Sequence, residues 1–250
     1  MNLQRIPILE QIKNEARTRE ILTSCGAIHI NEHFVYTSGL HGSAFIDKAA
    51  IVPNPLLFDE LAAFIAAETR HMLPEVVLGA AVVGAMLAMP VGRHLHTQIN
   101  HPACSPRVIF ADKEIYHPRD EHGNLFFDNS GEPRIEERLV IKRGYSPMLR
   151  GKAVLIVEDI INTGKTVHTL MNLARNAGAR VIGIAALCNR GPCTAADFGG
   201  EPLVLTSLVQ LKMDVYDPKI GVCPLCHAGI PINEELGHGK EYMEHRRRVA

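Results

Sequence analysis

The chain has 250 residues, 46% of them hydrophobic and 21% charged, which excludes a disordered polypeptide and provides a core for one large α/β domain or a domain with a small appendage. Its 26 Lys and Arg nearly balance 27 Asp and Glu, leaving a formal charge of −1 and no global attraction for nucleic acid or an anionic membrane. No stretch reaches the ~18 apolar residues of a bilayer span, the start is charged and periodic, and six cysteines are few for a secreted scaffold, so a cytoplasmic protein with reduced thiols is expected.

Ile8, Leu9, Ile12, Ala16 and Ile21 or Leu22 recur at helical spacing after Pro7, predicting an opening amphipathic helix. From Gly26 to Ala50 the pattern shortens, and residues 33–47 read as two strands around a glycine-bearing turn, a hairpin lid. Leu57, Phe58, Leu61, Phe64 and Ile65 mark a second helix after Pro53 and Pro55. Val76 to Gly84 joins a buried-type strand to a glycine-flanked loop, and 108–111 is another strand. The polar run from Lys113 to about Arg138 is too long for a connector and reads as a mobile loop or a protruding hairpin. Strands follow at 139–141 and 153–157; a helix built on Leu170, Leu173, Ala174 and Ala177 stops at Gly178 before a strand at 181–187. That βαβ unit builds parallel sheet, so the expected fold class is α/β, with a central, mostly parallel sheet, helices on both faces and a small N-terminal hood. The expected organisation is helix and hood in 1–50, core in 51–210 and an extension in 211–250 with a polar tail.

The segment 154–166, VLIVEDIINTGKT, carries the chemistry. Four apolar residues end in Glu158 and Asp159, and a loop of one glycine and two threonines leads into a helix. Ligands of open α/β sheets bind beyond the carboxyl ends of the strands, where both acids would lie. The loop amides and the helix N-terminus, carrying roughly half a positive charge, form a cradle for phosphate. The carboxylates need a different partner: a sugar diol, a magnesium ion or developing positive charge. Phosphate, diol and cation side by side describe a phosphorylated ribose. A Walker A loop would need glycine at the position of Asp159, and the acids would repel a triphosphate.

These residues resemble the signature of the type I phosphoribosyltransferases. The resemblance implies 5-phosphoribosyl 1-pyrophosphate as substrate, Glu158 and Asp159 as catalytic acids on the ribose hydroxyls, and Ile161, Asn162, Thr163, Gly164, Lys165 and Thr166 around the 5′-phosphate. It also implies Mg²⁺ on the pyrophosphate without direct protein ligation. The signature alone is most similar to the hypoxanthine-guanine enzymes, but these carry an aspartate where this chain has Asn162, which cannot titrate. Elsewhere the chain resembles the orotate phosphoribosyltransferases: 34–39 with 43–47 is similar to their hood, 77–88 to their pyrophosphate loop, and 110–114 to the segment whose lysine, here Lys113, meets pyrophosphate. Leu187-Cys-Asn-Arg190 matches their base-binding strand, placing Arg190, with Asn162 and Phe45, beside the base. A guanidinium pairs bidentately with a carboxylate, which orotate has and purines lack. The function implied is phosphoribosyl transfer to orotate, with a purine phosphoribosyltransferase or a non-catalytic nucleotide sensor as alternatives, and loop sharing implies a homodimer. Thr37 replaces the lysine usual in the hood motif, leaving its phosphate contact to Lys48 or Arg143. Arg119 to Gly123 loosely echoes the family's catalytic loop, and Lys142-Arg-Gly-Tyr145 is a second basic candidate.

Cys25, Cys104, Cys188 and Cys193 stand apart, whereas Cys223-Pro-Leu-Cys226 has the spacing of a metal knuckle. It reads as reduced thiols in a tight turn or as a zinc half-site completed by His238, by Cys193 or across a dimer. Glu244 to Arg248 reads as a solvated tail.

Overall fold

The computed structural model describes residues 4–99, 105–128, 130–191, 193–199, 203–218, 220–221 and 223–249. Cys104 lies outside the described residues. Six strands form the central sheet: β3 (Val76–Ala80), β4 (Arg107–Tyr116), β5 (Glu136–Val140), β6 (Ala153–Ile161), β7 (Arg180–Asn189) and β8 (Val204–Gln210), in the order β5-β4-β3-β6-β7-β8. All neighbours are parallel except β5, which runs antiparallel to β4 at the edge. Every residue of β3 is buried, as are all of β6 but Ile160, because helices cover both faces of a parallel sheet. One face carries α1 (Ile8–Ser24), α2 (Pro55–Thr69) and α3 (Val83–Ile99), whose Leu22, Leu61, Leu87 and Leu95 share a core with Leu155 and Leu187. The opposite face carries α5 (Lys165–Asn176), whose Val167, Leu170 and Met171 pack on Ile156 and Ile184. A short α4 (Ser146–Leu149) precedes β6.

Chain direction from β3 decides where a ligand can sit. The β3-α3-β4 unit steps to one side of the sheet centre, and the β6-α5-β7 unit steps to the other with its helix on the opposite face. Between β3 and β6 the two post-strand loops therefore diverge and leave a crevice at the topological switch point.

Several expectations change. Glycines 79 and 84 suggested a loop after β3, but Gly84 lies inside α3. A Cβ on Gly79 would collide with the Gly84 carbonyl, so small residues let the helix fold directly back on its strand. The 113–138 run is a protruding hairpin: β4 extends to Tyr116, β5 returns from Glu136, and isolated pairs Arg119↔Leu125 and Phe127↔Pro133 continue toward the tip. In α1 the buried residues begin at Asn14; Ile8, Leu9 and Ile12 are exposed among the described residues. The polar tail is helical, as α7 (Gly239–Val249). Among the described residues no helix is long and apolar enough to cross a membrane.

The hood is a separate antiparallel sheet of β1 (Ile28–Val35), β2 (His41–Ile46) and β9 (Val215–Tyr216) in the order β1-β2-β9. Its third strand comes from the C-terminal extension, which also lays α6 (Pro224–His227) and α7 against β1 and β2. Cys223 and Cys226 consequently stand beside His33 and His41, not beside either expected partner. His238 Nε2 is 3.0 Å from Thr37 Oγ1, and the Cys193 thiol donates to the Asn162 carbonyl.

Candidate active site

The crevice between β3 and β6 is a cleft of about 400 Å³. Ala81 to Gly84 form one wall, Glu158, Asp159, Lys165 and Thr166 another, and Lys48, Lys113, Glu137 and Arg138 the rim. Beside it a concavity of about 70 Å³ is lined by Glu158 and residues 160–167. Gly164 at the start of α5 has φ of 75°, and a Cβ there would press on the Phe198 ring, so the turn requires glycine on two counts. Among the described residues no side chain caps α5, and its first-turn amides are donors without such a partner at the edge of the concavity. Donors at a helix N-terminus, in a hollow of this size, fit a phosphate group.

The two acids face different environments although they are adjacent. Asp159 Oδ1 accepts from the Ile160 amide at 2.6 Å, and its Oδ2 pairs with Lys48 Nζ at 2.9 Å. Lys48 arrives from the hood and is half exposed, so solvent weakens this pair and a ligand can displace it. Glu158 Oε1 accepts from the Asp159 amide at 3.2 Å, while its Oε2 is buried without a hydrogen-bond partner among the described residues. Burial, and second the neighbouring Asp159 charge, hold the Glu158 carboxyl well above the ordinary glutamate range. A buried, unpaired oxygen at the mouth of a cleft is a polar atom awaiting a partner, and a sugar hydroxyl, which both donates and accepts, is such a partner.

On the hood side, Arg190 follows directly after β7. Its amide donates to the Ile161 carbonyl at 2.8 Å and its Nε to Asn162 Oδ1 at 3.3 Å. The guanidinium lies 4.3 Å from the centroid of the Tyr36 ring, and among the described residues it joins no ion pair. Tyr36 is held in turn by donating to the Ala44 carbonyl. Asn162 and Arg190 are thus brought together as expected. Phe45 is not with them: it packs on Phe34, ring centroids 5.4 Å apart, near Gly237 of the extension. Lys113 lines the cleft but pairs with Glu137 at 2.8 Å. Lys142 pairs with Glu114 and Arg143 with Asp112, leaving Lys48 as the hood cation at the acids. Arg119 sits toward the hairpin tip and donates to the Gly123 carbonyl. Sequence reasoning missed the Tyr36 shelf and the Lys48–Asp159 pair, since each joins residues brought together only by closure of the hood over the sheet.

The family model for the phosphoribosyl transferase domain matches residues 48–200, the span that carries the cleft, both acids and Arg190. The chain belongs to this family. Among curated relatives of this phosphoribosyltransferase, an orotate phosphoribosyltransferase of Thermotoga maritima is 28% identical over 221 residues, covering 88% of this chain and 98% of the relative. One of Chlorobium phaeobacteroides is 27% identical over 220 residues, covering 88% and 94%. Solved structures share the fold: orotate phosphoribosyltransferase of Mycobacterium tuberculosis aligns with a TM-score of 0.52 at 18% identity over 79% of this chain and 97% of that one. An adenine phosphoribosyltransferase of Trypanosoma brucei reaches 0.50 at 14% identity, over 78% and 81%, so the fold itself does not select the base.

The raised Glu158 carboxyl has a thermodynamic signature. Because its folded-state value lies above the ordinary one near 4.5, the stability it contributes as a neutral acid is complete below that pH and is lost as pH rises toward the folded-state value. Glu158→Gln stays neutral throughout. Calorimetric melting temperatures of parent and variant should converge near about pH 4.5, with the variant gaining steadily on the parent at higher pH. A difference that stays constant between about pH 5 and pH 8 would show that Glu158 titrates like an exposed glutamate.

Proposed function

We infer that the chain transfers the phosphoribosyl group of 5-phosphoribosyl 1-pyrophosphate to orotate, giving orotidine 5′-phosphate and pyrophosphate. The carrying observation is the juxtaposition of a helix start with free amides and a buried acid with an unpaired oxygen at one cleft, beside an arginine that donates to Asn162 of the adjoining concavity and joins no ion pair among the described residues. The relatives named above support it, being matched along almost their whole length.

In this reading the 5′-phosphate accepts from the amides of the 161–166 loop, and the ribose hydroxyls donate to Glu158 and Asp159 in place of Lys48. The pyrophosphate extends toward Ala81 to Gly84 and Lys113. The C1–oxygen bond to pyrophosphate breaks as the orotate ring nitrogen, its acidic proton released to solvent, supplies an electron pair to C1, and the pyrophosphate leaves with the former bonding pair. Positive charge gathers on the ribose ring in between, above two carboxyl groups that need no rearrangement to stabilise it. Arg190, held flat by Tyr36, receives the orotate carboxylate, and Asn162 offers an amide that hydrogen-bonds the base without titrating. Four cations and three acids line the cleft, a near balance that leaves the pyrophosphate charge largely uncompensated, and a substrate-borne Mg²⁺ fits that deficit. Such an ion would neutralise charge on the leaving group, and Glu158 and Asp159 are acids of the same cleft that would face it.

A homodimer belongs to this proposal. Val82, Met86 and Met89 form an exposed i, i+4, i+7 stripe beside the cleft, and Phe126 and Phe127 are uncovered on the hairpin. A second copy would cover both.

Purified protein with Mg²⁺ and 5-phosphoribosyl 1-pyrophosphate should consume orotate, followed as loss of its absorbance. Asp159→Asn should lower kcat by about 10² or more, and Arg190→Ala should raise the orotate KM by about tenfold to a hundredfold while leaving the KM for the pyrophosphate donor nearly unchanged. Turnover of hypoxanthine or guanine instead would make it a purine enzyme, tight binding without turnover a sensor, and an unchanged orotate KM would remove Arg190 from the base site. Sedimentation velocity should show a dimer at micromolar concentration, and a monomer there would refute the shared interface.

A further inference from the structure

Four metal-binding side chains meet away from the cleft, where the hood touches the C-terminal extension. The Nε2 of His33, the Nδ1 of His41 and the sulfurs of Cys223 and Cys226 all lie within 4.8 Å of one another. His33 and His41 come from β1 and β2, on either side of the hairpin turn. Their proximity depends on an irregular register: between the pairs Ile30↔Ala44 and Phe34↔Gly42, three residues of β1 face one of β2, with Asn31 left-handed at φ 63°. Cys223 is the residue before α6 and Cys226 lies within it, a short turn closed by the His227 amide donating to the Cys223 carbonyl and followed by the Gly229 amide donating to that of Cys226.

The geometry suits a tetrahedral ion. With metal–nitrogen bonds of about 2.0–2.1 Å and metal–sulfur bonds of about 2.3 Å, tetrahedral edges are about 3.4 Å between nitrogens, 3.6 Å between nitrogen and sulfur and 3.8 Å between sulfurs. The observed nitrogen–sulfur separations are 3.8 Å for Cys223 to His33, 3.7 Å for Cys226 to His33 and 3.4 Å for Cys226 to His41. The two imidazole nitrogens are 2.9 Å apart, and widening that edge by about half an ångström completes the figure.

The surroundings also favour a ligand set over a chance cluster. His33, His41 and Cys223 are at most 2% exposed. His33 Nδ1 lies 2.8 Å from the Ile230 carbonyl, so it carries the proton and donates, directing the Nε2 lone pair at the other three groups. The far nitrogen of His41, Nε2, is buried with no hydrogen-bond partner among the described residues, its ring standing edge-on to Tyr242 with centroids 5.0 Å apart. Two imidazoles and two thiols sharing one strong hydrogen bond would be a poor use of buried polar groups. Around a cation the four facing atoms, the two ring nitrogens and the two sulfurs, are all satisfied, while the His41 Nε2–H stays outside the coordination sphere.

We propose that His33, His41, Cys223 and Cys226 bind one structural zinc ion that clamps the C-terminal extension to the hood. Both thiols lose their protons to solvent on binding and both imidazoles bind as neutral rings, so the site is electrically neutral. Four protein ligands close the coordination sphere, which assigns the ion to architecture and not to catalysis. The clamp adds to ties that are otherwise individual hydrogen bonds and one short ladder. Among the described residues these include the two-residue β2–β9 ladder, the Asn233 amide donating to the His33 carbonyl, the His238 amide donating to that of Val35, the His33 ring donating to the Ile230 carbonyl, the Thr37–His238 contact and the Asn233 side-chain amide donating to Glu32. The same hood carries Tyr36 and leads into Lys48.

Untagged full-length protein, incubated with excess zinc under reducing conditions and desalted, should retain about one zinc per chain by elemental analysis. Its X-ray absorption should show two sulfurs at about 2.3 Å and two nitrogens at about 2.0 Å. Cys226→Ser and His41→Ala should each reduce retained zinc at least about tenfold. Parent protein that keeps no zinc, with Cys223 and Cys226 titrating as free thiols or joined to each other as a disulfide, would overturn the assignment, and so would full zinc retention in Cys226→Ser. The parent measurement decides the matter even where a variant folds poorly, and none of these readouts depends on the activity proposed above.

Discussion

Two carboxyl groups side by side at the end of a buried strand are expensive, and this molecule keeps them apart electrostatically without separating them in space. Asp159 stays in contact with a cation, Lys48, lent by the hood. Glu158 is buried so deeply that its charged form is disfavoured. The pair can therefore persist inside the fold only in an arrangement that a polyhydroxylated, cationic ligand would improve. The hydroxyls of a ribose offer donors to the unpaired Glu158 oxygen, and positive charge developing on the ring offers what Lys48 supplies in the free protein.

The sheet places that pair where substrate can reach it. Crossovers leaving β3 and β6 in opposite directions open the crevice, Gly79 lets α3 fold close against its own strand, and Gly164 lets α5 begin without a side-chain cap. The hood then supplies the other wall. Tyr36 beneath Arg190 and Lys48 against Asp159 both come from a three-stranded sheet assembled from the two ends of the chain. A small sheet of this kind has little core of its own, which gives physical purpose to a metal clamp joining its hairpin to the C-terminal extension.

The β6-α5-β7 unit and the acidic pair were legible in the sequence because they are local: a run of apolar β-type residues, two acids and a glycine turn within thirteen positions constrain one another directly. The α3 helix was obscured by Gly84 and Pro90 within it, residues that break helices in isolation, and by Gly79 on the strand before it, where the missing side chain lets the helix pack close. Ile8, Leu9 and Ile12 announced a helix correctly but not its burial, since periodicity marks an apolar face without showing what packs on it, and among the described residues this face is exposed. The Cys-x-x-Cys knuckle was visible, whereas its partners were not, since His33 and His41 meet it across some 190 positions and through a bulge that no periodicity reveals. Arg190 could be placed by pattern, its Tyr36 shelf only by tertiary structure.

The central claim is that one turn grips an anionic group through main-chain donors while the adjacent acids hold a pentose. A crystal structure of the protein soaked with ribose 5-phosphate tests it most directly. The phosphate should lie on the amides of residues 161–166, the sugar hydroxyls within hydrogen-bond distance of Glu158 and Asp159, and Lys48 displaced from Asp159. Ribose 5-phosphate bound elsewhere, with that turn empty and the Lys48–Asp159 pair intact, would contradict the account.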